Sequence, residues 1–88
     1  MTGPVWEGTI TVRCLSGRWA DALERTMAPE AAREVPRTTA TVRRSGEREV
    51  VIALTARDTG ALRAGLNTYL GWIDLAERTA RVARQETA

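Results

Sequence analysis

Apolar and polar residues alternate from Val5 to Cys14, with Trp6, Ile10, Val12 and Cys14 on one side and Glu7, Thr9, Thr11 and Arg13 on the other. A period of two with one apolar side predicts a half-buried β-strand. The period then lengthens. Trp19, Leu23 and Met27 recur at i, i+4 and i+8 with Asp21, Glu24 and Arg25 opposite, which predicts a short amphipathic helix from an N-cap at Ser16 to about Met27. Pro29 and Pro36 bracket a predicted loop. Arg37 to Arg44 alternates again through Thr38, Ala40 and Val42, and Ser45-Gly46 marks a tight turn. Arg48 to Ala56 is β-branched and apolar, with Val50, Ile52 and Leu54 on one face, so the two runs predict a hairpin. Asp58 supplies a carboxylate suited to the free N–H groups at the start of a long helix reaching about Arg84. The order β-α-β-β-α predicts an α+β two-layer sandwich, a three-stranded antiparallel sheet with two helices on one face.

The last helix carries more apolar surface than such a sheet can cover. At about 100° per residue, Leu62, Leu66, Tyr69, Leu70, Ile73, Ala76 and Ala80 form one apolar face. Ala64, Thr68, Gly71, Trp72, Leu75 and Val82 continue it around the side, leaving Arg63, Asn67, Asp74, Arg78, Arg81 and Gln85 on a narrow polar strip. A surface helix ordinarily has a single apolar stripe, so the excess predicts a partner. Length points the same way: residues 58–84 span roughly 40 Å as a helix, whereas strands of this length span roughly 30 Å. Gly65 and Gly71 inside the helix cost about 1 kcal/mol each relative to Ala, which points to close approach of another backbone, with mere tolerance as the alternative.

Composition narrows the function. The 88 residues, read as one domain over 1–88, are near the size at which a single core gives modest stability and oligomerisation helps. With no His, the commonest general base and metal ligand is missing, and Cys14 alone allows neither an intrachain disulfide nor a Cys cluster. Ser16, Ser45 and the threonines have no His to activate them, and no phosphate-binding glycine loop is present. These features argue against an enzyme and imply no cofactor or metal. No apolar run has the length of a membrane span and the first residues lack a signal-peptide core, so a cytoplasmic protein is expected.

All 13 basic residues are Arg, against 11 acids, for a net charge of +2. That balance permits RNA contact without diagnosing it. Arg43, Arg44 and Arg48 flank the hairpin tip, while Arg78, Arg81 and Arg84 recur every third residue near the C-terminus; these are the candidate RNA-contact groups, with a solvated surface as the plainer alternative. A GxxG loop between helices, as a KH-type reader requires, is absent.

The run Ala61-Leu62-Arg63-Ala64-Gly65-Leu66-Asn67-Thr68-Tyr69-Leu70-Gly71-Trp72-Ile73 resembles the signature helix of the Pcc-type small subunit of the KEOPS complex, which usually reads ALRA-x-LN-[ST]-YL-x-W. Ala56 and Asp58 before the helix and Pro29-Glu30 after the first helix also match, while Gly65 and Gly71 stand where the family more often has larger residues. The resemblance, to a family found in archaea and eukaryotes, implies a non-catalytic assembly subunit. KEOPS installs threonylcarbamoyl on the adenosine beside the anticodon of tRNA, and a separate sugar-kinase-fold subunit performs the transfer. The Pcc-type subunit forms a homodimer, binds that catalytic subunit through its helices and helps hold tRNA. Carried to this chain, the implied partner-binding residues are Arg63, Ala64, Asn67, Thr68, Trp72 and Leu75. The rival readings are a free-standing RNA-binding α+β module, or a homodimeric domain with no RNA role.

Overall fold

A computed structural model describes residues 5–32 and 37–87, with the side chains of 32 and 83–87 excepted. The elements are β1 (Trp6–Arg13), α1 (Gly17–Ala32), β2 (Thr38–Arg44), β3 (Glu49–Ala56) and α2 (Thr59–Thr87), in the predicted β-α-β-β-α order. The three strands form an antiparallel sheet in the order β1-β3-β2, so the most apolar strand is central. Its register sets Ile10 and Val42 on either side of Ile52, and Gly8 and Ala40 on either side of Leu54. One face of the sheet is therefore a continuous apolar layer, and both helices cover it.

The core lies between these layers. Leu23 and Met27 of α1, Val50, Ile52 and Leu54 of β3, and Tyr69 of α2 are its largest fully buried side chains. Most of the strand faces come out as the alternation requires, with Glu7, Thr9, Thr11 and Arg13 exposed and Ile10 and Val12 packed on the core, but Trp6, at the end of β1, is 46% exposed and does not join it. Gly46 closes the hairpin at φ 114°, a left-handed conformation that glycine adopts without steric penalty.

Both helix starts are capped as the sequence indicates. Ser16 Oγ accepts from the Trp19 N–H at 3.1 Å, and Asp58 Oδ1 accepts from the Ala61 N–H at 2.7 Å. The helix ends depart from expectation. α1 does not stop near Met27 but runs through Pro29 to Ala32. Pro29 lies in the last turns, where the missing N–H frees only the carbonyl of Arg25, a residue on the exposed flank. The Tyr69 hydroxyl then donates to the Glu30 carbonyl at 3.3 Å, a group that the end of the helix would leave without an intrahelical donor. α2 continues to Thr87 rather than ending near Arg84. Leu70, expected on the apolar face, is 50% exposed because it sits at the margin of the buried arc.

The two helix glycines differ. A Cβ on Gly65 would lie 2.9 Å from Leu54 Cδ2, so α2 rests close on the sheet there. A Cβ on Gly71 would meet nothing within 4 Å, so within this chain no backbone approaches it. The long axis of the molecule is 55 Å against 23 and 17 Å for the others, and α2, at about 1.5 Å per residue, accounts for roughly 43 Å of it.

Candidate functional site

The first half of α2 lies on the sheet through Leu62, Gly65, Leu66 and Tyr69, and its second half runs beside α1. There the residues facing α1 become small. Ala76 and Ala80 line the space opposite Trp19 and Met27, and the two helices enclose an apolar groove of about 370 Å³ rather than a filled seam. Trp72 and Leu75 form its α2 wall. Trp72 is fixed by an edge-on contact with Tyr69, with ring centroids 5.0 Å apart and an interplanar angle of 72°. Tyr69 in turn ties the end of α1 through its bond to Glu30.

Outside the groove, α2 presents a second stripe: Gly71, Leu75, Thr79 and Val82 at i, i+4, i+8 and i+11, all exposed. Leu75 is 62% and Val82 52% exposed. Asp74 and Arg78 pair at 3.1 Å beside this stripe, and Glu77 pairs with Arg81 one turn further on. The charges next to the apolar surface are thus already neutralised in i,i+4 pairs. An apolar stripe adjoining an apolar groove suits an amphipathic helix laid between α1 and α2.

The candidate partner residues do not all converge here. Trp72 and Leu75 line the groove, whereas Arg63, Ala64, Asn67 and Thr68 are exposed on α2 without lining it. Arg63 and Trp72 are nine residues apart, which puts them about 180° apart around the helix. Thr68 turns its hydroxyl back to the Ala64 carbonyl at 2.9 Å. The groove also includes Trp19, Met27, Ala76 and Ala80, which sequence patterning assigned to the core. The available signal was the pair of alanines beside Trp72, where a filled helix seam would need larger side chains.

The candidate RNA-contact arginines divide sharply. Arg44 joins the hairpin to α1, pairing with Asp21, lying 3.8 Å from Glu24, and donating to the Gly46 and Glu47 carbonyls. Arg78 and Arg81 are engaged by Asp74 and Glu77. Arg43 and Arg48 are exposed, and the side chain of Arg84 lies outside the described residues. Half of the six candidates thus hold the fold's own carboxylates, which reduces their availability for phosphate.

No reactive group emerges beside the groove. Burial pushes the Cys14 thiol above its ordinary value, with Arg44 pulling weakly the other way, so the thiol stays protonated and unreactive. Burial, then the Glu30 carboxylate, pushes the Tyr69 phenol up as well. Among the described residues no His, Cys, Asp or Glu group has the makings of a metal site, and no helix is long and apolar enough to cross a membrane.

A family model described as transcription factor Pcc1 matches residues 7–81, which takes in all three strands, α1 and most of α2. No curated protein matches the chain.

Proposed function

The chain belongs to the Pcc1 family, a family of KEOPS subunits, and from that membership we propose that it is a dimer-forming, non-catalytic assembly subunit serving tRNA modification in the cytoplasm. Its work is to bind the threonylcarbamoyl-transferring subunit of KEOPS and to help that complex hold tRNA. The observation that carries the reading is the exposed apolar stripe of Gly71, Leu75, Thr79 and Val82 beside the groove walled by Trp72 and Leu75. A face of this kind has no use to the isolated chain and gains about 25 cal/mol per Å² of apolar area when a partner helix covers it. The groove supplies a seat for large side chains, and Trp72, already fixed against Tyr69, loses little freedom on docking. A twofold dimer would offer two such seats and so recruit two catalytic subunits.

The test is co-sedimentation with the catalytic subunit from the same genome. Wild type should form a stable complex, and Leu75→Asp and Trp72→Asp should weaken it tenfold or more by placing a charge in the desolvated contact. Leu75 is largely exposed, so Leu75→Asp should keep the wild-type circular dichroism spectrum and melting temperature. Failure of wild type to form the complex would refute the assembly reading. Unchanged affinity in a folded Leu75→Asp variant would refute the groove as its seat.

A further inference from the structure

The face of the sheet turned away from the helices is open, and its chemistry differs from that of the groove. In register it carries the rows Glu7–Thr55–Thr39, Thr9–Ala53–Thr41 and Thr11–Val51–Arg43. Only Val51, 6% exposed between Thr11 and Arg43, is a buried apolar residue on it. Apart from Glu7 and Ala53, the rest of these rows is threonine hydroxyls, with arginines at both ends of the face.

At one end, Arg37, Thr39, Thr55 and Arg57 line a cleft of about 360 Å³. Arg57 is exposed and forms no ion pair with a described residue. Its N–H donates to the Arg37 carbonyl at 3.2 Å, extending the β2–β3 ladder by one step. Arg37 is held at φ 65°, a left-handed conformation that costs a non-glycine residue about 1 kcal/mol or more. Its guanidinium pairs with Asp58, whose other carboxylate oxygen caps α2. The Asp58 charge is thereby used within the fold, and Arg57 faces the cleft without a counter-charge from any described residue. At the opposite end Arg13 and Arg43 are exposed and likewise have no ion pair with a described residue. Arg57 and the Val51–Arg43 row are six residues apart along β3, roughly 20 Å at about 3.3 Å per residue. With Arg37 paired to Asp58, the strand carboxylates of this face, Glu7 and Glu49 (the latter opposite Arg13), stand against Arg13, Arg43 and Arg57.

Arginine and threonine side chains are common donors to phosphate oxygens, and a guanidinium makes charge-assisted, often bidentate bonds to phosphate. Base recognition would need an aromatic platform. No aromatic stands on this face: Tyr69, Trp19 and Trp72 pack on the helix side, and Trp6, though 46% exposed, shares the strand side of Gly8 and Ile10. We infer that the open sheet face, from the Arg57 cleft to Arg43, is a contact surface for the phosphodiester backbone of RNA. The inference rests on the assembly reading, which brings tRNA to the complex, and it assigns that contact to the face opposite the protein-binding groove.

The decisive comparison is tRNA binding, by fluorescence anisotropy across a salt series, for the chain in complex with the catalytic subunit. The variants are Arg43→Gln/Arg57→Gln and, as a matched control, Arg78→Gln/Arg81→Gln. Loss of two phosphate contacts should reduce the salt slope by about 1.5 to 2 and weaken binding about tenfold or more, while the control pair changes little. Mass measurement by sedimentation on the same samples keeps the readouts apart. A variant that binds tRNA as wild type does would overturn the inference even where the complex is intact. So would a variant pair that changes the oligomeric mass, since that result makes the face a contact between copies of the chain. Wild type that fails to bind tRNA at low salt would also refute it. A missing complex with the catalytic subunit would instead indict the assembly reading, and the same series would then be read on the chain alone.

Discussion

Gly65 and Gly71 stand six residues apart on the same helix, and substitution by alanine should move stability in opposite directions. At Gly65 the added methyl would lie 2.9 Å from Leu54 Cδ2 and 3.3 Å from Thr38 Cγ2. Leu54 is fully buried and has little room to turn away. The helix-propensity gain of about 1 kcal/mol is then outweighed by an overpacking cost of about 1–3 kcal/mol. Gly71 has nothing within 4 Å, so only the propensity gain applies. Urea denaturation should show Gly65→Ala less stable than wild type by about 1 kcal/mol and Gly71→Ala more stable by about 0.5–1 kcal/mol, with the m-value unchanged in both. Equal stability of Gly65→Ala and wild type would mean that α2 does not sit as close to the sheet as its contact with Leu54 indicates. Two glycines that look alike in the sequence thus do different work, and only the neighbour across the layer tells them apart.

At the level of elements, the start of α2 joins two functions in one carboxylate. Asp58 accepts from the Ala61 N–H and pairs with Arg37, which holds the left-handed turn into β2. Asp58→Ala should lower stability by about 1 kcal/mol through the lost cap, within the range of 0.5–2 kcal/mol for such losses. Asp58→Asn, which keeps an acceptor, should recover most of it. If Asp58→Ala unfolds at the same urea concentration as wild type, the cap is not what starts the helix. Element starts were legible in the sequence because caps act locally: Ser16 and Asp58 reach N–H groups only three residues away. Strand faces were legible for the same reason, since alternation is fixed within each strand. Helix ends were not. α1 passes Pro29 to where the Tyr69 hydroxyl, some forty residues on, donates to the Glu30 carbonyl, a tertiary contact with no local trace. The groove was half legible: Trp72 and Leu75 stood out as surplus apolar residues on α2. Trp19 and Met27 read as core, and they are; only the space beside Ala76 and Ala80 shows that they wall the groove as well. The arginine groups could not be ranked from the sequence, because the carboxylates paired with Arg44, Arg78 and Arg81 bear on their availability and one of those, Asp21, lies far away in sequence.

For the whole molecule, the two-layer plan separates two kinds of surface by the thickness of the domain. The helix layer offers an apolar groove with its flanking charges paired, and the sheet layer offers hydroxyls and unpaired guanidinium groups. The first favours a dry protein contact that is insensitive to salt, and the second a wet polyanion contact that is steeply sensitive to it. Because no residue belongs to both surfaces, occupation of one should leave the other nearly unchanged unless the partner itself touches tRNA. The expected pattern is a double dissociation. Leu75→Asp should lose the catalytic subunit while the isolated chain keeps its wild-type tRNA affinity at a given salt concentration. Arg43→Gln/Arg57→Gln should keep the subunit and lose tRNA affinity. Reciprocity of coupling sharpens the comparison: any factor by which the catalytic subunit raises the chain's affinity for tRNA must appear equally in the tRNA dependence of subunit binding. A factor near one, measured both ways, fits two independent faces. A large factor that disappears in Arg43→Gln/Arg57→Gln would mean that subunit binding reorganises the open face. A large factor that survives there would place the added tRNA contacts on the catalytic subunit, leaving this chain as the piece that positions it.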